Sequence, residues 1–250
     1  VWIILTLAVL RWQRNLSELD RQKSLFLATV THEMRTPLNA IHGNAQLVLE
    51  ALQVYEETPD ATKVETIITS AQQLATLIEN MLTAQKLDAG TMELQLAPTD
   101  LRDIVREAVD SVMPSIETNG NRLSQVVHAD GLVTIDKMKV SQILMNLLSN
   151  AGKWTQQGQI TLILEQTPTR LFIQVTDTGK GIPGDQQDRI CEWFRKVETS
   201  DASQYGGSGL ELAISKGFCE LMGGTIRVES RVDVGSTFTV VIPLPVNNAG

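Results

Sequence analysis

The spacing of apolar residues over the first 90 positions is that of amphipathic helices. They recur mostly every three or four positions in two runs, one from Phe26 to about Tyr55 and one ending near Gly90, which places them on one helical face. Between the runs, Thr58 and Pro59 are typical of a turn that caps and opens a helix. We therefore predict a helical hairpin. Its apolar positions are Leu27, Met34, Leu38, Ile41, Ala45, Val48 and Leu52, then Val64, Ile67, Ala71, Leu74, Ile78 and Met81.

One hairpin cannot bury so wide an apolar surface on itself. Two copies that form a four-helix bundle would bury it, so we expect a homodimer.

A different pattern begins at residue 91 and predicts an α/β sandwich over 91–246. Helical spacing predicts one helix that starts at Pro98-Thr99-Asp100 and another over 136–154. A stretch from Gly179 to Gly209 lacks sustained periodicity, which is typical of a lid or a disordered segment. The fold class is therefore α + α/β, a dimerising helical hairpin followed by a sandwich. Strands are expected at 123–128, 159–165, 171–177, 225–229 and 237–242.

The chain begins with ten uninterrupted apolar residues, followed by Arg11, Trp12 and Arg14. Ten residues are too few to span a bilayer, which needs about 20, but a basic and aromatic flank is typical of the cytoplasmic edge of a membrane helix. We interpret residues 1–12 as the truncated end of a transmembrane helix; the alternative is a buried or frayed start of a soluble helix. A helical connector over 13–25 and a short polar tail over 247–250 complete the organisation.

Charge and cysteine content argue against several classes of function. The net charge is −8, whereas a general nucleic-acid surface needs a basic patch. Cys191 and Cys219 are the two cysteines and form no CxxC pair, so neither a disulfide framework nor a zinc cluster is indicated.

The first chemical candidate is His32, in the segment 26–41, which reads FLATVTHEMRTPLNAI. His32 lies outside the apolar stripe, so its imidazole is expected near water, where it is a good nucleophile near pH 7. Glu33 could orient or deprotonate the ring. An ordinary surface histidine is the plain alternative. A zincin site is excluded, because Arg35 and Thr36 stand where HExxH needs other residues.

Four blocks in the second domain are candidates for nucleotide chemistry. In the first, Asn146 and Asn150 share one helical face and Lys153 follows one turn later. Amide oxygens can complete a magnesium shell, and a lysine supplies a point charge for phosphate. An asparagine pair on a helix is, however, more often a capping or solvent feature.

The other three blocks are weak when taken singly. Asp177 ends a strand in DTGKGI, where its carboxylate could accept from an adenine amino group and the glycines could let backbone approach a ligand. ICEWFRKV at 190–197 is an aromatic and basic patch. GGSGLELAI at 206–214 is a glycine run that enters a helix N-terminus, which offers backbone donors to phosphate, although it is neither GxGxxG nor a Walker sequence.

In this order, the segments resemble the phosphoacceptor box and the N, G1, F and G2 boxes of sensor histidine kinases, whose ATP domain is shared with DNA gyrase and the Hsp90 chaperones. The resemblance implies that His32 is phosphorylated and that Asn150, with Asn146, holds Mg²⁺. Its implied ATP-binding residues are Asn146, Asn150, Lys153, Asp177, Gly179, Gly181, Ile182, Gly207, Gly209 and Leu210.

Three residues depart from the family pattern. Gly152 and Trp154 replace residues that are usually apolar and Phe-like, giving NAGKWT. Glu211 stands where the family pattern GxGLGL has glycine, near the phosphates. A carboxylate in a first helical turn is locally favourable, but there it adds repulsion toward a triphosphate if it points inward.

The resemblance therefore predicts an ATP-dependent protein-histidine kinase at the inner membrane with its catalytic part in the cytoplasm. It implies transfer of the phosphoryl group to an aspartate of a response-regulator receiver domain, and a phosphatase role for Thr36. The alternative, motivated by Glu211, is a signalling scaffold or phosphatase-biased homologue with impaired ATP chemistry. An ATP-driven clamp is disfavoured, because such clamps activate water with a glutamate on the helix where this chain has Asn146 and Asn150.

Overall fold

The computed structural model describes residues 34–48, 50, 61–193 and 209–245. The chain divides into two compact units, Val1–Met81 and Leu82–Gly250. The predictions that concern residues 1–33, the turn at 58–59, the basic patch from residue 194 onward and the tail lie outside the described residues. Within the described ranges, no helix is both long and apolar enough to cross a membrane.

The first unit confirms the two predicted helices. Helix α1 covers residues 34–48, and helix α2 covers Ala61–Asp88 and extends into the second unit. Large apolar side chains of the predicted face remain exposed on both helices, among them Leu38 at 55% and Ile78 at 41%. A single chain therefore leaves part of the predicted apolar face uncovered.

Helix α2 ends where the sequence predicts. Gly90 has a φ of +63°, a left-handed conformation that glycine adopts without steric cost. The N–H of Gly90 donates to the Leu87 carbonyl at 3.1 Å, and that of Thr91 donates to the Lys86 carbonyl at 3.0 Å. These two bonds form a Schellman cap, which satisfies the last carbonyls of the helix.

The second unit contains a five-stranded sheet in the order β2-β4-β5-β7-β6. Strands β2 and β4 are parallel and the other pairs are antiparallel. This confirms the five predicted strands to within one or two residues at most ends. Their bounds are Arg122–His128 (β2), Gln159–Gln166 (β4), Arg170–Asp177 (β5), Thr225–Arg231 (β6) and Gly235–Pro243 (β7).

Three helices pack on one face of this sheet: α3 (Leu101–Thr118), α4 (Lys137–Trp154) and α6 (Glu211–Leu221). Alternate strand residues such as Leu162, Ile173 and Val240 are fully buried beneath them, as expected of a sheet with one covered face. A short helix α5 (Gly184–Gln187) follows β5. The α/β sandwich is therefore confirmed.

The structure corrects the start of the first predicted sandwich helix. Asp100 is the N-cap of α3 and accepts from the Arg102 N–H at 2.8 Å. Pro98 and Thr99 lie in strand β1 (Ala97–Asp100), which pairs antiparallel with β3 (Leu132–Ile135). Neither strand was predicted, because four residues are too few to show a period of two against their surroundings.

Gly152, the first departure from the family pattern, faces α3. A Cβ at this position would stand 3.1 Å from Cγ1 of Ile116, which is fully buried in α3. The absence of a side chain at Gly152 therefore allows α4 to approach α3 closely.

Candidate functional site

Helix α4 brings the predicted nucleotide residues together. Midway along α4, Asn146 contacts the start of α6, and at its end the carbonyl of Trp154 accepts from the Lys180 N–H at 3.3 Å. Asp136 caps α4 at its other end through a bond from the Lys139 N–H at 3.1 Å. Three separate sequence blocks thus meet along one helix.

Asn146 forms a latch between α4 and α6, made of Asn146, Glu211 and Ser215. The Asn146 Nδ2 donates to the Glu211 carbonyl at 2.9 Å and to Ser215 Oγ at 3.0 Å. Ser215 Oγ in turn donates to the Glu211 carbonyl at 2.8 Å. Since Ser215 is fully buried, the latch fixes the first turn of α6 against α4.

Asn150, unlike Asn146, takes no part in the latch. Its side-chain amide has no hydrogen bond within the described part of the chain, and it is partly exposed. Lys153 Nζ stands 5.3 Å from the centroid of the Trp154 ring, a cation–π distance. The two asparagines that the sequence treats as a pair therefore differ in their surroundings.

Asp177 is a buried carboxylate at the end of β5. Its Oδ1 accepts from the Gly179 N–H at 2.8 Å, and the Ser236 N–H also bonds to the carboxylate. Burial raises the pKa of the Asp177 carboxyl, and the two backbone donors, which lower it, do not offset the burial. Asp177 thus places a hydrogen-bond acceptor in a buried position that disfavours the charged form of its carboxyl group.

The glycines after Asp177 are required by packing within the domain. A Cβ on Gly179 would stand 2.4 Å from the Trp154 carbonyl oxygen, and one on Gly181, whose φ is +67°, would stand 2.1 Å from the Arg231 carbonyl oxygen. The sequence reasoning assigned these glycines to the approach of a ligand. The structure shows a packing reason for both glycines, since they let the loop pass between α4 and β6, and their role toward a ligand stays a prediction.

Ile182 closes this loop. It is buried, and its N–H donates to Ser230 Oγ at 2.8 Å. The side chain of Gln187 in α5 bridges the carbonyls of Ile182 and Ser230 at 2.9 and 2.8 Å. The loop that begins at Asp177 is thereby fixed to β6.

Helix α6 begins after Leu210, a buried residue whose own side chain makes no capping hydrogen bond. Gly209 before it has a φ of +68°. Gly207 lies outside the described residues.

Thr36 is exposed on α1. His32 and Glu33 lie outside the described residues, and the phosphoacceptor prediction rests on sequence.

Two family models match the chain. Residues 22–90 match the His Kinase A (phospho-acceptor) domain, and residues 135–246 match the histidine kinase-, DNA gyrase B-, and HSP90-like ATPase. The two matches occur in the order in which the boxes were found. This chain belongs to the histidine kinase family.

Curated relatives carry names that agree with this assignment. The circadian input-output histidine kinase CikA of Synechococcus elongatus is 36% identical over 225 residues, which are 88% of this chain and 30% of CikA. The autoinducer 2 sensor kinase/phosphatase LuxQ of Vibrio parahaemolyticus is 32% identical over 254 residues, 96% of this chain and 29% of LuxQ. The histidine kinase chain thus spans about 30% of the length of these relatives.

A solved structure also resembles the histidine kinase chain. Full-length ShkA, crystallised with AMPPNP, is similar with a TM-score of 0.67 at 29% identity, over 89% of this chain and 46% of ShkA. The ATP-binding assignment of the second domain agrees with this likeness.

The residues present in the histidine kinase chain fit a Mg–nucleotide. Asn150 offers an amide oxygen, the type of ligand that Mg²⁺ accepts, and Asp177 offers a buried acceptor. Thr155, which is fully buried beside Gly179, has a hydroxyl without a hydrogen-bond partner among the described residues. A buried polar atom of this kind calls for a partner such as a bound group or a water.

Sequence reasoning missed the residues that hold the site of this histidine kinase in place. Ser215 and Asn121 are buried polar residues far along the chain from their partners. Asn121 donates to the carbonyls of Gly152 and Thr155 and accepts from the Gly158 N–H. The only sequence signal for either residue is a small polar side chain among apolar neighbours, which does not reveal its partner.

Proposed function

We propose that this chain is the catalytic part of an ATP-dependent protein-histidine kinase that phosphorylates His32. The observation that carries the proposal is the arrangement along α4. Asn150 has an amide that makes no hydrogen bond among the described residues, Asp177 presents a buried acceptor at the start of the loop that bonds to the end of α4, and the first turn of α6 is latched to the same helix. The phosphoacceptor domain covers 26–90 and the ATP-binding domain covers 91–246.

In this proposal each residue has a defined part in holding ATP. Asp177 accepts from the adenine amino group, Lys153 and the first N–H groups of α6 neutralise phosphate charge, and Asn150 holds Mg²⁺. Bound Mg²⁺ would supply charge neutralisation at the phosphate oxygens. Asn146 contributes its amide nitrogen to the latch, and its oxygen remains for the metal shell.

The phosphoryl transfer itself is a displacement at the γ-phosphorus. A ring nitrogen of His32 forms the N–P bond while the O–P bond to ADP breaks, and ADP leaves with the electron pair. Glu33 takes the proton that the imidazole loses. Positioning supplies most of the catalysis, because the reaction needs the two partners in line rather than a strong base.

Partners and location belong to the same proposal. The chain acts as a homodimer through the exposed apolar face of α1 and α2, and the phosphoryl group passes to an aspartate of a response-regulator receiver domain. Thr36, which is exposed on α1 and four residues after His32 in sequence, positions a water that dephosphorylates this partner. The N-terminal apolar run anchors the protein in the inner membrane with the two domains in the cytoplasm. The names of the curated relatives do not favour the scaffold alternative.

Labelling with [γ-³²P]ATP tests the proposal. Wild-type protein should become labelled, and His32→Gln should abolish the label because the variant lacks the imidazole that takes the phosphoryl group in this proposal. His42→Gln is the matched control, since His42 is an exposed histidine on α1, and it should keep the wild-type level. Label that survives His32→Gln, or a wild type that binds ATP without becoming labelled, would contradict the proposal.

A further inference from the structure

The linker over residues 91–96, which follows α2, is fastened to the first turn of α4 by two side chains that the proposed chemistry does not use. The Gln95 N–H donates to Asp136 Oδ2 at 2.8 Å. Lys139 Nζ donates to the Glu93 carbonyl at 2.9 Å and to Asp136 Oδ2 at 2.7 Å. We call Asp136 and Lys139, with these linker contacts, the linker clamp.

The linker clamp is a buried ion pair. The Asp136 side chain is 2% exposed and that of Lys139 is 12% exposed. Lys139 Nζ also stands 5.9 Å from the centroid of the Phe218 ring in α6. Burial by itself would raise the pKa of Asp136, but its bonds to Lys139 and Gln95 and the charge of Lys139 lower it overall.

Stability alone is a weak reason to bury such a pair, because desolvation offsets much of the attraction and apolar replacements are often as stable. A buried pair can instead fix one geometry among several. Here the geometry that is fixed is the path of the linker, whose residues Met92 and Leu94 also pack against the domain core.

The helix that holds the clamp also carries the nucleotide residues. Asp136 is the N-cap of α4 and Lys139 lies in its first turn, and Asn146 and Asn150 lie two to four turns further along the helix. The linker leads in sequence from this helix back to α2 and the phosphoacceptor segment. The clamp therefore joins the rigid element that holds the nucleotide to the chain that leads to the phosphate acceptor.

We propose that Asp136 and Lys139 are positioning residues for autophosphorylation, because they fix where the linker leaves the ATP-binding domain. This inference rests on the proposed kinase function. It states that loss of the clamp slows the transfer to His32 while ATP binding within the domain is kept.

The variants separate the clamp from the helix cap. Asp136→Asn keeps one oxygen for the Lys139 N–H, and asparagine is a good N-cap, but its NH₂ group cannot accept from Gln95 or from Lys139. Lys139→Met keeps the aliphatic length and removes the ammonium group. The double variant Asp136→Asn/Lys139→Met leaves no unpaired buried charge, which protects the fold. Lys139→Arg is the conservative rescue.

Lys137→Met is the matched control. Lys137 lies on the same turn of α4, and its ion pair with Glu107 at 2.7 Å is about half exposed. Exposed pairs of this kind contribute little, so this variant should behave as wild type in every assay.

Three measurements are made on each variant: hydrogen exchange at the Gln95 amide, the affinity for ATP, and the rate of autophosphorylation at saturating ATP. Asp136→Asn and the double variant remove the carboxylate that accepts from the Gln95 N–H. They should exchange the Gln95 amide about tenfold faster or more, the size of a lost charge-assisted hydrogen bond. Lys139→Met keeps this acceptor and removes the bond to the Glu93 carbonyl. In all three variants autophosphorylation should fall about tenfold while the affinity for ATP changes less than about threefold. Lys139→Arg should recover most of the rate.

Two results would overturn the inference and leave the kinase function intact. The first is faster exchange at Gln95 with an unchanged phosphorylation rate. The second is a loss of ATP affinity in proportion to the loss of rate. A wild type that binds ATP and takes up no label overturns the kinase function, and this inference with it.

Discussion

At the scale of single residues, Asp177 is held in a state that costs stability. Its folded pKa is raised above the unfolded value because burial disfavours the charge. Such a group contributes stability that is fully present below the unfolded pKa and is lost as the pH rises through the folded pKa. At neutral pH the ionised carboxylate is therefore a cost, which a binding role explains.

Asp177→Asn should separate folding from ATP binding. Without nucleotide, the variant should be at least as stable as wild type at pH 7, and this advantage should shrink as the pH falls through the folded pKa toward 3.8. The NH₂ group would face the adenine amino group as a second donor, so the stabilisation by ATP, about 2.7 kcal/mol at one hundred times the wild-type Kd, should largely disappear. Thermal unfolding with and without Mg–ATP measures both effects.

Asp185→Asn provides the control for that experiment, because Asp185 is exposed on α5 and its loss changes the net charge equally. It should respond to ATP as wild type does. If Asp177→Asn kept the full response to ATP, Asp177 would not contact the adenine amino group.

The sequence predicted the location of the site residues better than it predicted their structural roles. The position of Asp177 at the end of a strand could be predicted because β5 is long and rich in β-branched residues. The packing role of Gly179 and Gly181 could not be predicted from the sequence, since their neighbours, Trp154 and Arg231, come from other elements. Sequence spacing reports contacts within an element, and these contacts arise only when the elements pack.

At the scale of elements, α4 and α6 behave as one unit through the latch of Asn146, Glu211 and Ser215. Asn146 and Ser215 are 69 positions apart in sequence, so their contact is a property of the fold. The latch holds the backbone of Glu211, whatever the direction of its side chain. The first turn of α6 is thus held by contacts within the domain itself.

Asn146→Asp and Ser215→Ala test the latch. A carboxylate is a good Mg²⁺ ligand, so a purely metal-binding role for Asn146 predicts that Asn146→Asp retains ATP. In the latch, Asp can donate nothing to the Glu211 carbonyl and repels it. Asn146→Asp should therefore weaken ATP binding about tenfold and Ser215→Ala about fivefold, the sizes of lost hydrogen bonds of roughly 1.4 and 1 kcal/mol.

Calorimetric titration with a non-hydrolysable ATP analogue measures both affinities. Asn150→Asp serves for comparison, because Asn150 is outside the latch and should keep its binding when Mg²⁺ is present. Wild-type affinity in both Asn146→Asp and Ser215→Ala would show that the latch has no part in the site.

Secondary structure was predicted correctly in elements long enough to show a hydrophobic period. Helices α3 and α4 run for 18 residues each, and the apolar spacing detected both. It placed the bounds of α4 to within one residue but started α3 three residues too early. Strands β1 and β3 have four residues each. Because β1 contains Pro98, its sequence indicated the start of a helix, and no strand was predicted for β3. Their pairing depends on the partner strand, which no local pattern reveals.

At the scale of the whole molecule, helix α2 carries an exposed apolar stripe. Val64, Ile68, Ile78 and Leu82 lie on one side of α2 at 100° per residue, and all four are exposed. A stripe of this length on a helix is a typical interface for a second helix pair. The kinase proposal needs such a dimer, because the phosphoacceptor helices of this family act as a bundle.

Ile68→Glu should break the dimer. A buried isoleucine contributes about 1.5–3 kcal/mol, and both chains lose it in a symmetric interface, so the dimer Kd should rise by more than about a hundredfold. Wild-type chain, at 27.5 kDa, should sediment as a dimer and the variant as a monomer at the same concentration. Gln73→Glu adds the same charge on the opposite side of α2 and should leave the dimer unchanged. If Ile68→Glu remained dimeric, the stripe would not be the interface, and if it became monomeric with full labelling of His32, the kinase would not depend on the bundle.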